Sequence, residues 1–165
     1  MPEPPAPRLG SAAARKVGIG ELDVLQGTGV LRTLLGSCIG LVLHDRSNRV
    51  GGLAHIVLPT ASGETQTPGK YADTAVPELI RLIEQSGGSS RQLTAKLAGG
   101  ANVLALSKPN SIGDQNLEMV ERLLKALGIF VLARHVGGQL GRRMAYDVET
   151  GIVTVEIVGQ PAVEL

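Results

Sequence analysis

The chain holds a single cysteine, and Cys38 stands in TLLGSCIG, where an apolar run breaks at Gly36 and Ser37 just before the thiol. A thiol at the edge of a Gly-Ser turn is open to substrate, and backbone N–H groups of such a turn can face an oxyanion. A thiol nucleophile also needs a base that takes its proton at neutral pH. Three histidines are available: His44 in LVLHDR, His55 in GGLAHIVLP and His135 in LARHVGG. On one uninterrupted strand His44 would sit ~20 Å from Cys38, beyond proton-transfer reach. The base must therefore come from a neighbouring strand, which favours His55. Thr33, upstream in the same apolar run, offers a hydroxyl that could orient an imidazole as the third member of a triad does. Each residue also has an ordinary reading. A free cysteine among apolar residues is commonly an inert small hydrophobe, a histidine is commonly a satisfied core or surface imidazole, and a threonine in a strand is commonly there for its β-branch.

Positioning these groups falls to several short apolar runs. GELDVLQG from Gly20, LRTLLGSC, IGLVLHD and GGLAHIVLP read as strands. IGLVLHD and RVGGLAHIVL form a predicted hairpin, with turn chemistry from Ser47 and Asn48 and an end at Pro59. That hairpin would set the strand of His55 beside the strand leaving Cys38. A helix is predicted over 71–86, from Ala72, Val76, Leu79, Ile80 and Ile83, with Gly87-Gly88 as its stop and Pro77 either in a late-starting first turn or at a kink. LTAKLA at 93–98 reads as a buried strand ending at Gly99-Gly100. A second helix fits 114–127, with Asp114 as N-cap and Gly128 as C′ residue. IFVLARHV at 129–136 is a further strand, and RRMAYDV–ETG–IVTVEIV a second hairpin. Strands, helix, strand, helix, strands in that order suggest an α+β layered fold rather than a doubly wound one.

The 165 residues are enough for one domain with one sizeable core. Apolar residues make up 43% but aromatic residues only 2%, so the core must be Leu, Val, Ile and Ala, and base stacking is a poor candidate activity. Sixteen Lys and Arg against 15 Asp and Glu give no general reason to bind nucleic acid or an anionic membrane. One thiol cannot form an internal disulfide. Residues 1–16, rich in Pro and Ala, read as a flexible tail without the apolar core of a secretory signal, leaving residues 17–165 as the single domain. No run is long and apolar enough to span a bilayer. A soluble, cytoplasmic, monomeric protein is expected. The histidines and the cysteine do not stand at metal-finger spacing, and neither Gly99-Gly100 nor Gly137-Gly138 matches a phosphate loop or dinucleotide fingerprint, so neither metal nor cofactor is expected.

Taken in order, LLGSCIGLVLHD, VGGLAHIVLP, PGKYADTAV, KLAGGANV, SIGDQN and the GG–GR run at 137–142 resemble the CheD family of chemoreceptor glutamine deamidases. The resemblance runs from about residue 17 to 158, and its most specific parts are GSC with H-x-x-L-P and PGKYADTA. It implies a β-sandwich of mixed sheets flanked by helices, similar to the Cys-His hydrolase domain of cytotoxic necrotizing factor toxins. It implies hydrolysis of glutamine side-chain amides on chemoreceptor cytoplasmic domains, with Cys38 as nucleophile, His55 as base and Thr33 as the upstream threonine. In some members a CheC-type phosphatase binds and inhibits the enzyme. Substrate contacts would come from loops such as 60–70 and 99–112.

Three other readings compete. A docking module of the same fold would bind receptor or phosphatase without turnover. A redox sensor would need a readily oxidised Cys38 and gives no reason for the His55 segment. A thiol amidase or transglutaminase-like enzyme would use the same residues on another protein.

Overall fold

The computed structural model describes residues 14–104 and 110–165. Ten strands and two long helices follow one another as β1 (Ala14–Lys16), β2 (Leu22–Gln26), β3 (Val30–Leu35), β4 (Ile39–Asp45), β5 (Val50–Ile56), α1 (Ala72–Gln85), β6 (Leu93–Gly99), α2 (Ile112–Ala126), β7 (Phe130–Val136), β8 (Arg142–Asp147), β9 (Val153–Glu156) and β10 (Val163–Glu164). They build two five-stranded sheets. The outer sheet has the order β1-β3-β8-β9-β10 and the central sheet β2-β5-β4-β6-β7. Each is mixed: β1 runs parallel to β3 and β6 parallel to β7, while the other pairs are antiparallel. This is the α+β sandwich expected from the sequence.

Burial explains the strand patterns. The central sheet packs against the outer sheet on one face and against both helices on the other. Its middle strands β4 and β5 are therefore buried at every position and read as apolar runs broken only by His44, Asp45 and His55. One core layer joins Leu31, Leu35, Met144, Tyr146 and Val153 of the outer sheet to Val42, Leu53 and Ala98 of the central one. The other joins Ile39, Leu41, Leu43, Ala54 and Ile56 to α1 and α2. The outer sheet alternates instead, with Leu31, Thr33 and Leu35 turned inward from β3. Close approach of the two sheets accounts for one glycine of GGLAHIV. A Cβ on Gly51 would lie 2.0 Å from the Tyr146 hydroxyl oxygen.

The predicted β4–β5 hairpin forms in the register Gly40↔His55 and Asp45↔Val50, and the β8–β9 hairpin forms as well. Three expectations need revision. Ala14–Lys16, assigned to the tail, pairs with β3 at Ala14↔Val30 through Lys16↔Arg32; the remainder of that tail lies outside the described residues. Asp114 is not the N-cap of α2. The helix begins at Ile112, Ser111 caps it, and Asp114 completes a capping box by accepting the Ser111 N–H. Pro77 lies beyond the first turn of α1, inside the helix, where its missing N–H leaves the Asp73 carbonyl without the usual helical donor.

Candidate active site

Thr33 and His55 meet across the sandwich. Thr33 points inward from the outer sheet and His55 from the central sheet, and Thr33 Oγ1 lies 2.7 Å from His55 Nδ1. Both side chains are buried. The same hydroxyl donates its one proton to the Val17 carbonyl at 2.7 Å. With that proton spent, Oγ1 can only accept from the imidazole. Nδ1 therefore carries the hydrogen, and Nε2 keeps its lone pair. The chain just after β1 thus supplies the carbonyl that fixes the tautomer, with Val17 held in place by its own N–H bond to the Arg32 carbonyl.

Cys38 ends the bend that joins β3 to β4 and is half-buried, packing against the core layer between the sheets. His55 faces Gly40 across the β4–β5 ladder. Cys38, two residues before Gly40, is one diagonal step away, roughly 7 Å between Cβ atoms for such neighbours. The thiol and imidazole are not hydrogen-bonded in this structure, and such contacts often tighten only when substrate binds. Burial pushes the Cys38 thiol above its usual range. Burial also lowers the His55 imidazole, against a smaller opposing pull from Glu21. Both shifts favour the neutral thiol and the neutral imidazole over an ion pair.

The turn at Gly36–Cys38 is held from two directions. Gly100 N–H donates to the Cys38 carbonyl at 2.9 Å and Ala101 N–H to the Gly36 carbonyl at 3.0 Å. Gly99 lies so close that a Cβ there would stand 2.2 Å from the Cys38 carbonyl oxygen, and its φ of 102° suits glycine alone. From below, Asn116 of α2 donates to the Ser37 and Val57 carbonyls. Among the described residues, neither the Ser37 nor the Cys38 N–H has a hydrogen-bond acceptor. A third loop closes the same end. Gly137 N–H reaches the Gly99 carbonyl and Asn102 N–H the Gly138 carbonyl. Buried Arg142 gathers the carbonyls of His135, Gly137 and Leu140.

The other two histidines are elsewhere. His44 lies toward the far end of β4, 2.6 Å from the Tyr146 hydroxyl, and His135 Nδ1 accepts from Arg142. Of the three histidines, His55 is the one that meets Thr33. The sequence did not single out the Val17 carbonyl, which carries no side-chain signal. Nor did it single out Asn116, although that residue closes the SIGDQN segment. No group of three or more His, Cys, Asp or Glu among the described residues is placed to hold a metal ion. The stretch 105–109 of the expected substrate loop lies outside the described residues.

A thiol at the rim of a sandwich, with an imidazole whose free nitrogen is set by a hydroxyl from the opposite sheet, is equipment for thiol-dependent acyl transfer. The chain belongs to the CheD family. The family model, described as CheD chemotactic sensory transduction, matches residues 57–157. Similarity to whole relatives extends the match over most of the chain. The chemoreceptor glutamine deamidase CheD of Thermotoga maritima is 44% identical over 87% of this chain and 91% of its own. The probable chemoreceptor glutamine deamidase CheD of Geobacillus kaustophilus is 39% identical over 95% of this chain and 100% of its own. The corresponding protein of Thermococcus kodakarensis is 44% identical over 87% and 92%.

Proposed function

We propose that this chain is a chemoreceptor glutamine deamidase that hydrolyses glutamine side-chain amides to glutamate, with Cys38 as nucleophile, His55 as base and Thr33 as the group that orients the base. The observation that carries the reading is the bond between Thr33 and His55, whose geometry leaves Nε2 as a proton acceptor on the strand beside the thiol. His55 takes the thiol proton as Cys38 attacks the carboxamide carbon. The Ser37 and Cys38 N–H groups face the oxyanion that forms. The tetrahedral adduct collapses, the C–N bond breaks, and His55 gives its proton to the departing ammonia. Water then attacks the thioester carbonyl as His55 removes its proton, and the S–C bond breaks to free glutamate and the thiol. Glutamine and one water thus give glutamate and one ammonia.

The rim suits a side chain presented on a protein. Val103, Leu104 and Leu140 are exposed on the loops that converge on the Cys38 turn. Two clefts of about 300 and 400 Å³ lie elsewhere, over the His44–Lys96 face and beside Phe130. No helix among the described residues is long and apolar enough to cross a membrane. On this reading the enzyme acts as a monomer in the cytoplasm, on the cytoplasmic domains of receptors, and a CheC-type phosphatase is its regulatory partner.

The test is mass spectrometry of a chemoreceptor cytoplasmic fragment incubated with the protein and with its Cys38→Ala and His55→Ala variants. Glutamine-to-glutamate conversion, a gain of about one mass unit per site, is expected with the parent protein alone. Conversion by either variant, or receptor binding by the parent protein without conversion, would reject the assignment.

A further inference from the structure

We infer that Asn116 is a positioning residue for this site: it aims the Cys38 N–H at the oxyanion by holding the Ser37–Cys38 peptide from behind. The inference rests on the thiol-hydrolase reading above and adds to it a residue outside the Cys–His–Thr set.

Asn116 is completely buried on α2, on the helix side of the central sheet. Its Nδ2 donates to the Val57 carbonyl at 2.9 Å and to the Ser37 carbonyl at 3.4 Å. Both partners are acceptors only, so the amino group must face them and the amide orientation is chemically determined. Its Oδ1 is buried with no partner. An orphaned buried acceptor is a standing cost to stability that a leucine of similar size would not carry. Packing alone therefore does not account for an asparagine here.

The consequence lies in one peptide unit. The Ser37 C=O and the Cys38 N–H belong to the same planar, trans peptide and point in opposite directions. Drawing the Ser37 oxygen toward α2 turns the Cys38 N–H away from the helix layer. That N–H has no acceptor among the described residues. The second bond of the same amino group holds Val57, two residues beyond His55 and just past the end of β5. One side chain thus ties the turn that carries the thiol to the strand that carries the base. A close seat makes this possible: a Cβ on Gly113 would stand 2.6 Å from the Gly100 carbonyl oxygen, so the start of α2 lies directly on the loop that grips Cys38.

Two reactions at Cys38 separate this role from a merely structural one. Acylation by p-nitrophenyl acetate passes through a tetrahedral oxyanion: the S–C bond forms, the C–O bond to nitrophenolate breaks, and the thiol proton goes to His55. Alkylation by iodoacetamide displaces iodide at a saturated carbon and forms no oxyanion. Both are read on the full chain, with Cys38→Ala as background. Removing an oxyanion donor outright slows comparable enzymes by about 100- to 1000-fold. Misaiming one in Asn116→Leu is expected to slow acylation by about tenfold while alkylation keeps its rate and pH profile. On a receptor fragment, kcat should fall by a similar factor with KM unchanged. A wild-type ratio of acylation to alkylation would overturn the inference, as would a parallel loss of both. If Asn116→Leu loses the parent's circular dichroism spectrum, Asn116→Ala is read in the same way. In the parent protein, moreover, the Cys38 amide proton should shift when acetaldehyde adds to the thiol as a hemithioacetal, and an unmoved resonance would overturn the inference regardless of variant folding. Neither small-molecule reaction uses a receptor, so failure of the deamidase assignment and failure of this inference give different results.

Discussion

At the scale of single residues, the site is organised by one proton. Thr33 has one hydrogen to give and gives it to Val17, and this decides which imidazole nitrogen of His55 is free. Thr33→Val removes the acceptor of the Nδ1 hydrogen and the donor to Val17 together. The imidazole then loses its fixed tautomer, the kind of defect that disables a triad without removing its base. We expect kcat for deamidation to fall about 10- to 100-fold, and Thr33→Ser, which restores the hydroxyl, to recover most of it. Steady-state kinetics on the receptor fragment reads both, and a fully active Thr33→Val would remove Thr33 from the catalytic set. Choosing His55 over His44 was possible from sequence because strand spacing has a fixed length, and that argument needs no structure. Val17 was illegible for a physical reason: a backbone carbonyl is the same whatever residue bears it.

At the scale of elements, strands were more legible than ends. IGLVLHD is β4 itself and LTAKLA all but the last residue of β6, because β4 is buried on both faces and β6 alternates buried Leu93, Ala95 and Leu97 with half-buried Thr94 and Lys96. Two-residue β10 and three-residue β1 have no pattern to detect, since a strand that short completes no alternation. The start of α2 was misplaced because Ser111 and Asp114 are both good capping residues, and only the reciprocal bonds show which is the cap. Gly99 offers a test at this scale. Its positive φ and the 2.2 Å approach of the Cys38 carbonyl leave no room for a side chain. Gly27 shares a positive φ of 80° but has nothing within 4 Å. Gly27→Ala should cost about 1 kcal/mol from backbone strain alone. Gly99→Ala should cost at least about 2 kcal/mol and also lower activity, because the shifted carbonyl belongs to Cys38, the proposed nucleophile. Denaturant midpoints of the two variants measure the difference, and equal losses would mean that the close approach does not matter.

At the scale of the whole molecule, two buried histidines make stability depend on pH. His44 and His55 both have imidazoles lowered mainly by burial from an ordinary value of 6.5. Below that value the unfolded chain binds protons that the folded chain resists. The contribution is therefore complete above about pH 6.5 and is lost as the pH falls through the depressed folded values. Each histidine can contribute a slope of at most about 1.4 kcal/mol per pH unit. Thermal unfolding followed from pH 7.5 to 5 should show Tm falling with pH, with a flatter profile in a His44→Gln, His55→Gln double variant. An equally steep profile in that variant would mean that these two histidines do not set the pH dependence, since the Asp45 carboxyl, held below its ordinary value of 3.8, stays ionised throughout this range. The hydrogen bond between Thr33 and His55 has a different consequence on the same scale. Because the outer sheet brings the hydroxyl, the central sheet the imidazole and the bend between them the thiol, neither layer alone holds the three groups together. Such an arrangement is not portable as a loop graft or a transplanted hairpin, since it exists only with both layers in register.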